Sequence, residues 1–246
     1  MKNIIFFDTE TTGVNTTDFL CQLAYKSDGE EFSELYKPEI KIPPEASAVH
    51  HISNKMVQDK PSFKKSTDYK RIKELFEDEN TVMVAHNAKF DLAIIKKEGI
   101  NPKNVICTLR VARALDKENI IPQHKLQFLR YFLDIEIKAT AHDALGDVLV
   151  LEKLFERLFD KIKKSTSSAD GENNMSDDEA LKEMIEISGR PSLMYSFSFG
   201  KHIRKTVEYV SRIDSSYLKW FLDIKEKESP DDEDWIYTLK YYLNKL

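Results

Sequence analysis

The chain has 246 residues, 41% of them hydrophobic and 32% charged, which is the balance of an ordinary soluble globular protein with one large domain or a domain plus a small one. No apolar run approaches the roughly 20 residues that span a bilayer, and residues 4–7, followed at once by acids, are too short for a signal peptide, which points to the cytoplasm. The net charge of −5 argues against a protein that coats long nucleic acid.

Taken in order, residues 3–8 read as a buried strand. Residues 19–27 and 31–37 read as two more, joined by a hairpin turn at Ser27-Asp28-Gly29. Cys21 and Cys107 lie far apart and form no ligand pattern, so they read as reduced core thiols. Pro43-Pro44 and Pro61 bracket an irregular excursion with a short helix near 54–58. A helix over 67–77 turns Tyr69, Ile72, Leu75 and Phe76 to one face. Residues 81–85 form a compact buried strand, and a helix over 88–98 stops at Gly99 and Pro102. Next come a short strand over 104–107, a helix over 109–115, and a helix over 125–133 that carries Leu126, Leu129 and Phe132 inward. The longest helix covers 143–161. A hairpin followed by β-α units implies an α/β fold, a mixed sheet flanked by helices.

Residues 163–175, rich in Ser, Asn, Asp and Gly, read as a flexible linker. Beyond them Ser176-Asp177-Asp178-Glu179 is a capping box, opening a helix that Gly189 and Pro191 close. The remaining C-terminal segment holds six of the ten tyrosines and both tryptophans. The expected organisation is therefore a first domain over 1–162, a linker over 163–175 and a small module over 176–246.

Asp-Thr-Glu-Thr-Thr-Gly ends the first apolar run. Alternate strand side chains share a face, so Asp8 and Glu10 point to one place. Two carboxylates repel there unless a cation lies between their oxygens, and hard oxygen donors suit Mg²⁺ or Mn²⁺. The competing reading is a strand that frays into a polar turn. A second stretch, Ala85-His86-Asn87-Ala88-Lys89-Phe90-Asp91, puts an acid in the first turn of a helix at the C-terminal end of a strand, where open sheets build sites. Taken singly, Asp91 is also explained by the helix dipole. The third stretch runs from Ala141 to Asp147. His142 precedes the longest helix, Asp143 serves as its N-cap, and Asp147 projects among apolar neighbours, which calls for a partner or a metal.

Together these stretches resemble the DEDD exonucleases, the proofreading-type, DnaQ-like superfamily with a ribonuclease-H-like fold. Asp8 and Glu10 fit the first motif, His86 to Asp91 the second (H-N-x-x-F-D), and His142 with Asp147 the third, with the five-residue offset of the histidine subclass. Val49-His50-His51-Ile52 looks like the family's V-H-G-I segment with His51 in place of Gly. The likeness covers residues 1–160. In one departure, Cys107-Thr108 stands where many relatives carry Asp-Thr.

The resemblance implies a metal-dependent 3′→5′ exonuclease that hydrolyses phosphodiester bonds at DNA 3′ ends and releases nucleoside monophosphates. It implies two ions, Mg²⁺ or Mn²⁺, held by Asp8, Glu10, Asp91 and Asp147, with His142 taking the proton of the attacking water. Four ligand carboxylates and two divalent ions nearly cancel in charge, so the site need not repel phosphate. Thr9, Thr11, Thr12, Val14, His51, Asn87 and Phe90 are the expected substrate contacts. For Thr11 and Thr12 the alternative is turn formation, and for Phe90 core packing. The substrate is expected to be a single-stranded or overhanging DNA end. The alternatives are an RNA 3′ end or a catalytically silent nucleic-acid-binding adaptor, and no membrane partner is expected.

Residues 195–202 and 214–220 resemble a small module, F-G-K-x-x-G-K and D-x-x-Y-L-x-W, that follows the nuclease domain in some exonuclease-X-like proteins. Arg204-Lys205 replaces the second Gly-Lys. Phe199, Tyr217 and Trp220 are the expected module core. Lys201, His202, Arg204 and Lys205 form a basic cluster that reads either as a nucleic-acid or partner surface or as a solvated face.

Overall fold

The computed structural model describes residues 2–15, 17–138, 143–164 and 175–245. Strand β1 (Asn3–Thr11) is its axis. It pairs antiparallel with β2 (Leu20–Ser27), and β2 in turn with β3 (Glu30–Leu35). The turn between β2 and β3 places Asp28 at φ 48° and Gly29 at φ 83°, the left-handed pair that a two-residue hairpin needs. On its other side β1 pairs parallel with β4 (Thr81–Ala85), which pairs parallel with β5 (Asn104–Cys107). The sheet order is β3-β2-β1-β4-β5, the mixed α/β sheet that the sequence pattern implies.

Parity along β1 sorts the two cores. Phe6 joins the core beneath α5 (Thr108–Leu115), α7 (Ala144–Lys164) and α8 (Asp177–Ser188). Ile5 and Phe7 join the opposite core beneath α3 (Tyr69–Glu77) and α4 (Ala88–Lys97). Ile72 and Phe76 of α3 are fully buried there. β1 runs beyond the expected end at Asp8 because β2 keeps pairing it through Glu10↔Gln22 and Thr11↔Leu20, with a bulge at Cys21.

Two helices differ from expectation. The Pro-Pro excursion contains α1 (Pro44–His50) as well as α2 (Asn54–Val57). Proline at the first helical position forfeits only an N–H that has no intrahelical partner, so Pro44 starts a helix here. In α6 (Leu126–Phe132) Leu129 is buried, but Phe132 is 43% exposed and stacks on Phe128. Arg130 points inward in its stead, and its guanidinium donates to the Ile137 carbonyl at 2.6 Å.

The described chain divides into two compact units: Met1–Leu115 with Ile121–Ser188, and Asp116–Ile120 with Gly189–Leu246. Helix α8, expected in the C-terminal module, belongs to the first unit. Ala180, Leu181 and Met184 lie in its core, and Ser188 Oγ accepts the Cys107 N–H at 2.8 Å. The expected capping box is formed, with Ser176 Oγ donating to Glu179 at 2.7 Å. Most of the expected linker lies outside the described residues.

The second unit comprises α9 (Val207–Ile213), α10 (Ser215–Glu228) and α11 (Glu233–Leu243) around Phe197, Leu218, Phe221, Trp235 and Leu239. Of the three expected core aromatics Tyr217 is partly buried against this cluster, and Phe199 meets Phe221 and Trp235 edge-on at its rim. Phe199 is 40% and Trp220 55% exposed. Phe197, Phe221 and Trp235 fill the centre because the loop leading into α9 turns back there: Arg204 N–H donates to the Phe197 carbonyl at 2.7 Å and Phe197 N–H to the Lys205 carbonyl at 3.0 Å.

Candidate active site

β1 extends past its parallel partner, whose pairing ends at Phe6↔Val84. Asp8 and Glu10 share the parity of Phe6 and therefore the α7 face. Asp147, in the first turn of α7, meets them. One oxygen from each of Asp8, Glu10 and Asp147 lies within 4.8 Å of the other two. On the opposite parity, Thr9 reaches Asp91 of α4: its hydroxyl and its backbone N–H both donate to Asp91 Oδ1, at 2.7 and 3.1 Å. Four expected ligand positions thus gather at one strand end. His142 lies outside the described residues.

The electrostatics are those of crowded acids. Burial pushes Asp8 well above the usual carboxylate range, and repulsion from Asp91, Glu10, Asp147 and Asp143 adds to it. Glu10 is raised to about 8 by burial and by Asp147, Asp91 and Asp143. Asp91 is raised to about 7 by burial, against the lowering effect of the two Thr9 donors. Without a cation, burial and mutual repulsion shift these groups toward their protonated forms. A divalent ion would let them ionise, and three converging carboxylate oxygens are the hard donor set it takes. The residues fit the group.

Gln127 was not anticipated from the sequence. Its amide donates to Asp147 Oδ1, while its carbonyl accepts from Arg130 at 3.4 Å. Nothing in the spacing of α6 shows that this residue faces α7. Asp143 behaves as the expected N-cap, with Oδ2 accepting the Gly146 N–H at 3.3 Å.

Other expected residues divide by environment. Thr11 and Thr12 are buried and committed to the turn: Thr11 Oγ1 donates to the Gly13 carbonyl at 2.5 Å, and Thr12 Oγ1 donates to Asp18 at 3.1 Å. Phe90 packs against the core of Ile5 and Phe7. Val14 is 88% exposed, and His51 and Asn87 are also exposed, both with left-handed backbone at φ 63°. His50 is buried beneath this turn. Its Nδ1 accepts the Ile52 N–H at 3.0 Å, which leaves Nε2 to donate to the Thr11 carbonyl at 3.1 Å. His86 bonds the His124 carbonyl through Nε2 and Thr108 Oγ1 through Nδ1. Burial lowers it to about 4, so it stays neutral and bridges β4 to α5. Thr108 keeps that link although Cys107 supplies no carboxylate.

This geometry has relatives. The RNase_T exonuclease family model matches residues 5–155. The chain belongs to the exonuclease family. Its DEDD, DnaQ-like membership accords with the three motifs, and it is a hydrolase. The exonuclease is 30% identical over 241 residues to exodeoxyribonuclease 10 of Escherichia coli (strain K12), covering 96% of each chain. That span includes the second unit. It is 32% identical over 163 residues to the DNA polymerase III subunit epsilon of Treponema pallidum, covering 61% of this chain and 73% of that one. A solved exonuclease X in complex with 5′ overhanging duplex DNA superposes with a TM-score of 0.54 at 25% identity, covering 77% of this chain and all of that one. Among the described residues no helix of the exonuclease is long and apolar enough to cross a membrane.

Proposed function

We propose that the chain is a divalent-metal-dependent 3′→5′ exodeoxyribonuclease that removes nucleoside 5′-monophosphates from single-stranded or overhanging DNA ends. The observation that carries this reading is the convergence of Asp8, Glu10 and Asp147 oxygens in a chain that parallels exodeoxyribonuclease 10 over 96% of both lengths. Asp8, Glu10, Asp91 and Asp147 would hold two ions, Mg²⁺ or Mn²⁺. Bound there, the ions would offset phosphate charge and acidify a water.

The chain's own residues do the rest. His142 takes the proton of the attacking water, as an imidazole can at neutral pH. The water oxygen bonds to phosphorus, the bond from phosphorus to the 3′ oxygen of the preceding nucleotide breaks, that oxygen takes a proton from solvent, and His142 returns its proton to solvent. Thr9 and Gln127 orient Asp91 and Asp147. Val14, His51 and Asn87 face the terminal nucleotide, while Thr11, Thr12 and Phe90 shape the turn and helix that present them. Two free, buried thiols, Cys21 and Cys107, suit a reducing cytoplasm.

The test compares matched single-stranded DNA and RNA with Mg²⁺ and with chelator. DNA should shorten from its 3′ end, with mononucleotide as product, and chelator should stop the reaction. Preferential digestion of RNA would replace the deoxyribonuclease reading. Asp8→Ala should abolish activity and metal binding. His142→Ala should cost about 10²–10⁴ in rate and spare metal affinity.

A further inference from the structure

We propose that the loop over residues 197–205 and the N-terminal half of α10 form a docking platform for a single strand of nucleic acid, with Phe199 and Trp220 stacking on bases and Arg204, Lys205 and Lys219 meeting phosphates. Small domains normally spend their few aromatics on a core, and this unit buries Phe197, Phe221 and Trp235. Phe199 and Trp220 nevertheless remain exposed, and both lean on the same buried ring. Phe221 lies 5.5 Å from Phe199 and 6.4 Å from Trp220, and it is nearly parallel to the latter at 30°. The two exposed rings are the outer members of one aromatic cluster, Phe199 edge-on to Phe221 at 69°, and are held in place before any ligand arrives. A fixed ring loses little freedom on stacking.

The loop that carries Phe199 is fixed as well. Asp214, the N-cap of α10, accepts from Lys201 Nζ at 2.8 Å, from buried His202 Nε2 at 3.0 Å and from Ser216 Oγ at 2.9 Å. Gly200 sits at φ 72°, where an added Cβ would come within 2.9 Å of the Tyr217 hydroxyl. His202 is therefore a tie within the unit and not part of the basic face, which narrows the cluster read from the sequence.

Charge selects the occupant. From residue 190 to 222 the chain carries six Lys or Arg against Glu208 and Asp214 alone, and both acids are engaged, by Arg212 at 2.6 Å and by Lys201. Arg204, Lys205 and Lys219 are exposed and have no carboxylate partner among the described residues. Of the other acids of the unit, seven fall after residue 222, and Asp116 and Glu118 lie on its separate short segment. Flat apolar rings interleaved with unopposed cations match a strand of stacked bases on a phosphate backbone. Because the chain is read above as an exonuclease on DNA ends, the strand it degrades is the natural occupant.

The test uses the full chain carrying Asp8→Asn, so that bound DNA is not digested, and the anisotropy of 5′-labelled oligothymidylate. Trp220→Ala and Phe199→Ala should each weaken binding about tenfold. Lys219→Glu, a surface change that leaves the core alone, should flatten the salt dependence, the slope of log K against log salt falling by about 0.7 or more. Trp235 is 6% exposed, so bound strand should quench mainly Trp220, and the quench should vanish in Trp220→Phe. Affinities within twofold of the parent for all three variants, or displacement of the strand by polyglutamate at equal concentration, would overturn the proposal. The chain without Asp8→Asn, and its Trp220→Ala variant, should hydrolyse thymidine 5′-(p-nitrophenyl phosphate) at one rate, since that ester offers no strand to dock. Loss of this hydrolysis in the parent would sink the exonuclease reading and leave the binding result standing.

Discussion

Thr9 gives both of its donors to a single oxygen of Asp91, the hydroxyl at 2.7 Å and the backbone N–H at 3.1 Å. The N–H is available because β4 has stopped pairing with β1 two residues after Ile4↔Val82, at Phe6↔Val84. Helix α4 thus delivers a buried acid to a strand end that would otherwise have an unmet donor. Burial raises Asp91 to about 7, and the two donors hold it from rising further. Thr9→Val keeps the shape and the N–H but removes the hydroxyl. The variant should fold, bind divalent ions about tenfold more weakly, and lose activity on the acid side of its pH profile, since Asp91 then ionises at higher pH. An unchanged acid limb would show that the hydroxyl does not matter to the carboxylate.

Gln127 makes the corresponding contact on the other side of the cluster, where its amide holds Asp147 while Arg130 holds its carbonyl. Orienting groups behind metal ligands typically contribute about 10–100-fold in affinity or activity. Gln127→Leu should therefore raise the Mg²⁺ concentration needed for half-maximal rate by about tenfold or more, with KM for DNA nearly unchanged. Gln127→Asn, which has the amide but a shorter reach, should recover little. Calorimetric titration of metal into the substrate-free chain checks the same point without turnover.

The contrast between these two residues shows where sequence reading reaches its limit. Asp8 and Glu10 are legible because period-two geometry puts them on one face, and Asp91 and Asp147 because acids follow apolar runs at helix starts. The strand-helix order gives the mixed sheet for the same reason. Gln127 was not legible: its role depends on α6 lying beside α7, and no local pattern encodes that neighbour. The second unit departs from the sequence expectation where two aromatics adjoin, with Trp220 exposed and Phe221 buried. Helical rotation turns one outward and the other inward, and only the tertiary partners Phe197 and Trp235 decide which. Proline at 44 misled in a different way, since a helix breaker in the interior is acceptable at the first position.

The acid cluster should make the metal-free chain sensitive to alkali. Asp8, Glu10 and Asp91 all have folded pKa values above those of an unfolded chain, with Glu10 near 8 and Asp91 near 7. For a raised carboxylate the folded state binds more protons, so its contribution to stability is whole below about pH 4 and is lost as pH rises through the folded value. In chelator, the melting temperature should fall between pH 5.5 and 8.5. Asp8→Asn removes one of the charges and eases the repulsion on its neighbours. At pH 8 in chelator it should gain on the order of 1–2 kcal/mol, or about 3–6 °C. Mg²⁺ should raise the melting temperature of the parent at pH 8 and have little effect on the variant. A parent that melts at one temperature across this range would show that the carboxylates are not held protonated.

Two glycine positions of the resembled motifs are filled by other residues here, and both keep the backbone a glycine would favour. His51 has φ 63° and closes α1, its N–H donating to the Ser47 carbonyl at 2.8 Å, and Arg204 has φ 67° in the loop before α9. A left-handed non-glycine residue costs roughly 1–2 kcal/mol, against about 0.4–1 kcal/mol that glycine loses through the freedom of the unfolded chain. His51→Gly and Arg204→Gly should each stabilise the protein by about 0.5–1 kcal/mol, read as a higher urea midpoint with unchanged slope. The functional outcomes should separate. Arg204→Gly should weaken strand binding while leaving hydrolysis of the nitrophenyl ester intact. His51→Gly should raise KM for DNA, since it removes an exposed imidazole assigned to the terminal nucleotide. A loss of stability in either variant would mean that its side chain makes contacts worth more than the strain it imposes.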